Sequence, residues 1–298
     1  MLVSSLLFAT MGACTHAVGP RCDWLTIALV RALFMFVSAV LVARASGARL
    51  AVFRPRTLWM RSIAGSFSLV CSFYAMTRLP VGDVLTIANT YPLWILALTW
   101  LALRERPRLV ELVGVASGLA GVVLIEQPHL NGDNTAAMVA LAGSFGTAVA
   151  MIGLHRLREI DTRAVVAHFA GVASVVTGGW VFARAMLGVS GGPVIAVSRT
   201  GPVLPEAEMM TLLMLFGVGL TGTVGQVFLT KAYAAGAPAR VAVLGLTQVV
   251  FGMGFDAVLW HRSFPPASLA GTALVLAPTA WLIRRAGGPV AHSSPPKS

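Results

Sequence analysis

The chain has 298 residues, 57% of them apolar and only 11% charged, with a mean hydropathy of +0.81, whereas soluble domains carry roughly 25% charged residues; an ordinary water-soluble fold is excluded. Three cysteines, and 30 glycines with no period of three, exclude a disulfide scaffold and a collagen-like chain. The net charge of +11 would suggest a polyanion partner in a soluble protein, but in a membrane protein it points to cytoplasmic loops.

A bilayer crossing needs about 20 apolar residues, and each Asp, Glu, Lys or Arg at its centre costs about 2.5 to 3.5 kcal/mol on insertion scales. The stretches that avoid those residues therefore mark the predicted elements. Met1 to Pro20 is the first. Met11-Gly12-Ala13-Cys14 within it faintly resembles a lipoprotein cleavage site, but no basic n-region precedes it and nine further apolar segments follow, so it is read as helix 1. Trp24 to Ala43 forms helix 2 with Arg31 inside, and Thr57 to Met76 forms helix 3 with Arg61 one turn in, where a long side chain would snorkel. Val84 to Leu103 and Leu109 to Ile125 are helices 4 and 5. Asn134 to Leu154, Ala164 to Ala183, Met209 to Thr230, Val241 to Trp260 and Ser263 to Ile283 complete ten. Only Gly188 to Pro205 is a long loop, and the Pro/Ser-rich residues 287–298 read as a disordered cytoplasmic tail.

Placing the loops after helices 2, 4, 6 and 8 and the C-terminal tail on one side gathers fifteen basic residues there against five on the other. The positive-inside rule then predicts an integral plasma (inner) membrane protein with both termini cytoplasmic. The basic excess is an address for loops, not a nucleic-acid patch.

The two halves repeat weakly. Phe73-Tyr74-Ala75-Met76-Thr77-Arg78-Leu79-Pro80 corresponds to Lys231-Ala232-Tyr233-Ala234-Ala235-Gly236-Ala237-Pro238, Arg104-Glu105-Arg106-Pro107 to Arg262-Ser263-Phe264-Pro265, and Gly114 to Gly271 after a one-residue shift. Two five-helix units are implied, 1–128 and 129–286, and because five is odd the second must be inserted upside down. Inverted repeats with a mid-membrane site at their interface are a recurrent construction of secondary transporters. The predicted fold class is thus an all-α integral membrane protein of ten transmembrane helices in two inverted five-helix repeats.

Ser72-Phe73-Tyr74-Ala75-Met76-Thr77-Arg78-Leu79-Pro80-Val81-Gly82-Asp83 and Leu103-Arg104-Glu105-Arg106-Pro107, with Leu6-Leu7-Phe8-Ala9-Thr10-Met11 and Val30-Arg31-Ala32-Leu33-Phe34, resemble the drug/metabolite transporter superfamily, most nearly its EamA-type permeases. That resemblance implies export or uptake of a small metabolite without ATP hydrolysis. Gly12 and His16 stand where members often carry an acidic or amide residue and a lysine, and Ser263 where a second-half glutamate often matches Glu105.

Ionisable residues inside a bilayer are costly unless paired or hydrated, which makes them site candidates. His16, Arg31 and Asp83 all fall towards the outer side, where an Arg31–Asp83 ion pair next to His16 is geometrically possible. The trio reads either as a gate or substrate anchor, with a coupling proton on His16, or as a static pair and snorkelling interfacial charges. Helix 4 carries a polar stripe of Asp83, Thr86, Asn89 or Thr90 reaching Pro92, with Tyr91 adjacent; helix 8 carries Gln226, helix 9 Thr247 and Gln248, and helix 6 Ser144 and Thr147. These groups can line a cavity or act as interhelical glue. The candidate substrate-binding and translocation residues are His16, Arg31, Tyr74, Asp83, Asn89, Tyr91, Gln226 and Gln248. His168 reads as a satisfied histidine. Glycine rows on helices 5 and 8 point to close packing, inside the molecule or in a homodimer.

The rival classes are a channel and an anchored hydrolase. Gly188-Val189-Ser190-Gly191-Gly192 matches G-x-S-x-G, but in a loop of a helical protein it lacks the strand-to-helix turn that chemistry needs. No H-E-x-x-H, P-loop or C-x-x-C occurs, so no metal, cofactor or enzymatic activity is expected. A channel would more naturally show a charged ring or selectivity loop. The expectation is a transporter of a small polar or amphipathic metabolite, monomeric or homodimeric.

Overall fold

The structure is a computed structural model that describes residues 1–45, 47, 55–76, 78–79, 81–104, 106–128, 134–187 and 205–286. Every regular element among the described residues is helical: α1 Leu2–Val18, α2 Trp24–Ala45, α3 Arg56–Met76, α4 Val81–Ala88, α5 Tyr91–Leu103, α6 Leu109–Glu126, α7 Asn134–Arg156, α8 Thr162–Met186, α9 Pro205–Ala235, α10 Pro238–Gly245, α11 Thr247–Leu259 and α12 Pro266–Ala286. The pairs α4/α5 and α10/α11 are each one span broken once, so the twelve elements make ten spans. Eight of these are long and apolar enough to cross a bilayer, and α1 is a shorter apolar helix of 17 residues. The tenth, α3, is 21 residues long but is diluted by Arg61, Ser62, Ser66, Ser68 and Ser72. The chain is an integral membrane protein. The Gly188–Gly192 loop and the tail from 287 lie outside the described residues.

Burial separates two solvents. Small and β-branched side chains such as Ala75, Val84, Ala140, Val115, Ala148 and Ala170 are buried between helices. Leu101, Val175, Met138 and Val258 stand 72–80% exposed on the outer faces. An apolar belt of that extent would drive association in water, but in lipid it matches the medium.

The packing repeats between the halves. The helix pairs in closest contact are α3 with α7, α1 with α9, α6 with α12, and α2 with α8. Exchanging each span for the one five places later turns the first pair into the second and leaves the other two unchanged. The pairs α2·α9 and α3·α8 also exchange, as do α1 with the broken span α10/α11 and α7 with the broken span α4/α5. Close approach rests on glycine at α6·α12, where a Cβ on Gly121 would lie 2.5 Å from the Gly271 carbonyl oxygen and one on Gly271 2.6 Å from that of Gly121. Gly114 faces Val243 and Pro278, Gly118 faces Leu246, and Gly217, Gly219, Gly222 and Gly225 on α9 receive Cys14, Phe34, Met11 and Phe8. These glycine rows pack internal helices.

Both broken spans carry a threonine that bonds back across the break. Pro92 at the start of α5 removes a backbone donor, and the side chains of Asn89 and Thr90 bond back to the preceding turn. Asn89 Nδ2 donates to Leu85 O at 2.8 Å and Thr90 Oγ1 to Ile87 O at 2.6 Å. In the second half, Thr247 Oγ1 donates to Leu244 O at 2.7 Å, while Ser5 of α1 reaches the Leu244 and Gly245 carbonyls. Thr90 and Thr247 are 157 residues apart, the offset that also separates Gly114 from Gly271.

Candidate functional site

One cavity of about 330 Å³ lies between the two halves. The first half supplies Phe8 and Met11 from α1, Arg31 from α2, and Arg61, Gly65, Ser68 and Ser72 from α3; the second supplies Thr147 and Met151 from α7, Phe169 from α8, Gln226 from α9 and Gln248 from α11. That volume is at the lower end of small-molecule sites, which are usually clefts lined by apolar groups with a few placed polar ones.

Arg61 is the largest fully buried side chain among the described residues, 2% exposed. Its guanidinium carbon lies 3.9 Å from the centroid of the Phe169 ring, a cation–π stack, and Nε and Nη1 have no hydrogen-bond partner. The expectation that Arg61 snorkels is therefore corrected. The snorkelling route loses because Gly65, one turn on, leaves room for the head group beside Phe169: a Cβ there would sit 2.7 Å from Arg61 Nη1 and 2.9 Å from the ring. Arg31 enters the cavity from α2 with its guanidinium 6.0 Å from the Phe8 ring and its buried Nε unpartnered. A Cβ on Gly222 would stand 3.1 Å from that Nε. Gly65 and Gly222 are again 157 residues apart. Gln226 is 3% exposed with Nε2 unpartnered, whereas Gln248 is exposed and forms the rim. Ser68 and Thr147 satisfy each other across α3 and α7, and Thr147 also donates to Gly143 O at 3.2 Å.

Of the sequence candidates, the cavity brings together Arg31, Gln226 and Gln248. His16 is exposed and packs edge-on against Trp260 at 4.7 Å. Asp83 is 2% exposed in the first turn of α4; Arg31 forms no ion pair with it, so the Arg31–Asp83–His16 trio is not assembled. Tyr74 packs with Ala75, Leu79 and Val84 and lies under Arg78 at 5.6 Å. Asn89 is occupied at the α4/α5 break. Tyr91 spans the two breaks: its hydroxyl donates to Ala242 O at 3.5 Å, and a Cβ on Gly245 would come within 2.5 Å of it. Ser144 accepts from Trp94 Nε1 and bonds Thr90 Oγ1, both at 3.0 Å, which makes it glue. His168 bonds Ser62 Oγ at 2.8 Å and meets Trp59 edge-on, a satisfied histidine as expected.

Sequence reasoning missed Arg61, Ser68, Ser72 and Phe169 as lining residues. The available signal was the serine row of α3, which makes it the least apolar span of the first half.

Three acids are paired with arginines away from the cavity. Asp23 pairs with Arg184 at 3.1 Å, Asp256 with Arg262 at 3.3 Å, and Glu111, which accepts from its own helix's Arg108 N, pairs with Arg240 at 3.1 Å. No carboxylate or imidazole is among the cavity-lining residues described.

Comparison with known proteins agrees with this architecture. Residues 1–127 match the EamA-like transporter family. Full-length relatives include a protein of Helicobacter pylori named as an uncharacterized transporter, 26% identical over 93% of this chain and 90% of its own length. The pseudopaline exporter CntI of Pseudomonas aeruginosa is 24% identical over 92% of this chain and 91% of its own. The mouse solute carrier family 35 member G1 is 25% identical over 76% of this chain. A solved crystal structure shares the fold over 96% of both chains with a TM-score of 0.74 at 19% identity. The EamA match over residues 1–127 and the transporter-named relatives agree with the resemblance carried by the helix 1, 2 and 4 motifs and support a membrane transporter. The matched EamA region contributes Phe8, Met11, Arg31, Arg61, Gly65, Ser68, Leu69 and Ser72 to the cavity, so more than half of the lining comes from the segment the family match covers.

Proposed function

We propose that the chain is a secondary transporter that moves a small polar or amphipathic metabolite by alternating access between two inverted five-helix units, residues 1–128 and 129–286, with both termini cytoplasmic. The observation that carries this reading is the cavity built from both units, walled by α1, α2 and α3 on one side and α7, α8, α9 and α11 on the other. A site divided in this way opens to one face or the other when the units rock. The exchange of helix pairs across the halves and the matched breaks at Thr90 and Thr247 support the repeat. Of the residues first singled out, Arg31, Gln226 and Gln248 hold the substrate, joined by Arg61 and Ser72; Tyr74, Asp83, Asn89 and Tyr91 brace the helices. His16 lies apart from the cavity lining, so the site as described offers no imidazole to carry a coupling proton.

The test is substrate counterflow in liposomes preloaded with a metabolite panel. A carrier shows saturable counterflow of at least one metabolite, which falls tenfold or more in Gln226→Ala and is retained in His16→Ala. Uptake that never saturates and shows no counterflow would instead place the protein among channels, the second reading.

A further inference from the structure

Resting on the reading of the cavity as the substrate site, we propose that the transported molecule is a small amphipathic organic anion, a carboxylate with an apolar body, held by Arg31, Arg61 and Gln226. A guanidinium is charged at every physiological pH and has five donors and no acceptor. Two of them line one cavity, and the atoms left without partners there are all donors: Arg31 Nε, Arg61 Nε and Nη1, and Gln226 Nε2. The lining residues described include no Asp or Glu to neutralise them, although the chain places Asp23, Glu111 and Asp256 against other arginines. An uncompensated buried charge costs several kcal/mol, and an arrangement that keeps two is complementary to an anion brought in from outside.

The geometry suits a carboxylate. The Arg61 guanidinium carbon sits 3.9 Å over the Phe169 ring, which holds the head group while Nε and Nη1 stay without partners, and a carboxylate can accept two hydrogen bonds from a guanidinium. Gly65 and Gly222, each with an arginine nitrogen where a side chain would otherwise stand, keep both head groups inside the cavity. Ser68 and Thr147 satisfy each other and so make small demands on the ligand. Phe8, Met11, Leu69 and Met151 supply apolar wall, which a hydrocarbon body covers and a small inorganic anion does not. The same two charges repel a cationic substrate.

The purified full chain in detergent is assayed by thermal shift with hexanoate and adipate, with hexanamide and hexylammonium as matched neutral and cationic probes, and with inorganic phosphate. The expected result is stabilisation by at least one acid, bound about tenfold or more tightly than the amide, and none by hexylammonium or phosphate. Arg61→Gln and Arg31→Gln each weaken acid binding about tenfold to a hundredfold, and Arg61→Lys recovers part of the loss. Because Arg61→Gln removes an uncompensated charge, its unliganded melting temperature stays at or above the parent's; a merely structural arginine would lower it. Absence of stabilisation by either acid, equal binding of the amide, stabilisation by phosphate alone, or a fall in melting temperature with unchanged acid binding would each overturn the proposal. Saturable counterflow of a neutral or cationic metabolite sinks the anion assignment and leaves the transporter standing, whereas arginine-dependent acid binding without counterflow of that acid does the reverse.

Discussion

A glycine in a membrane helix has meaning only through what stands opposite it. Gly12 has nothing within 4 Å of the place a methyl would take, while a methyl on Gly121 meets the Gly271 backbone oxygen at 2.5 Å, which cannot rotate away as a side chain would. Gly121→Ala should therefore separate α6 from α12 and cost about 1 to 3 kcal/mol. Gly12→Ala should be neutral or gain up to about 1 kcal/mol from helix propensity. Thermal melts of the two variants in one detergent check the contrast, and equal melting temperatures would refute the close α6·α12 contact. The same scale explains why Arg61 does not snorkel. Its distance from the helix end is written in the sequence, but the escape of its head group to the interface is stopped by Phe169, more than a hundred positions away.

At the scale of elements, six charge-free gaps and four apolar stretches that are interrupted or shorter locate the ten spans, because the cost of placing charge in lipid acts on each segment separately. Pro92 marks the first break in the sequence itself. The second, at Leu246, carries no proline and has no such signal; it is recognised by its likeness to the first, with Thr247 bonding back as Thr90 does. The broken spans are tied together at one point, where Tyr91 Oη lies against Gly245 and Ala242. Gly245→Ala should destabilise the protein by about 1 to 3 kcal/mol by pressing on that hydroxyl, and Tyr91→Phe should relieve most of the loss. A double-mutant cycle measured by unfolding should give a coupling of about 0.5 kcal/mol or more; additivity would show that the two breaks do not bear on each other.

At the scale of the molecule, the excess of basic residues in alternate loops predicts a single orientation. A C-terminal green fluorescent protein fusion in bacterial cells should fluoresce, and a C-terminal alkaline phosphatase fusion should be inactive, since the first folds in the cytoplasm and the second needs the outside. The opposite pair of results would reverse the orientation. Moving basic residues should weaken the preference: replacing Arg104, Arg106 and Arg108 together by Gln should produce a mixed population, because these three are the whole basic content of their loop.

The sequence by itself determined the solvent and the number of spans, and it pointed to a transporter and to a weak repeat. Each of these follows from local sums of hydropathy and charge along the chain, or from residues close together in it. Tertiary structure alone decided which polar groups are spent and which are free. Asp83, Asn89 and Ser144 look as functional on a helical stripe as Gln226 does, yet Asn89 and Ser144 are consumed at the α4/α5 break and Asp83 is buried in α4 outside the cavity. Arg31 and Arg61 stand on different helices, and neither shows in sequence that the two share a cavity or that its described lining holds no acid beside them. A partner's identity depends on which faces meet when ten helices pack, and that is set by contacts between residues far apart in the chain.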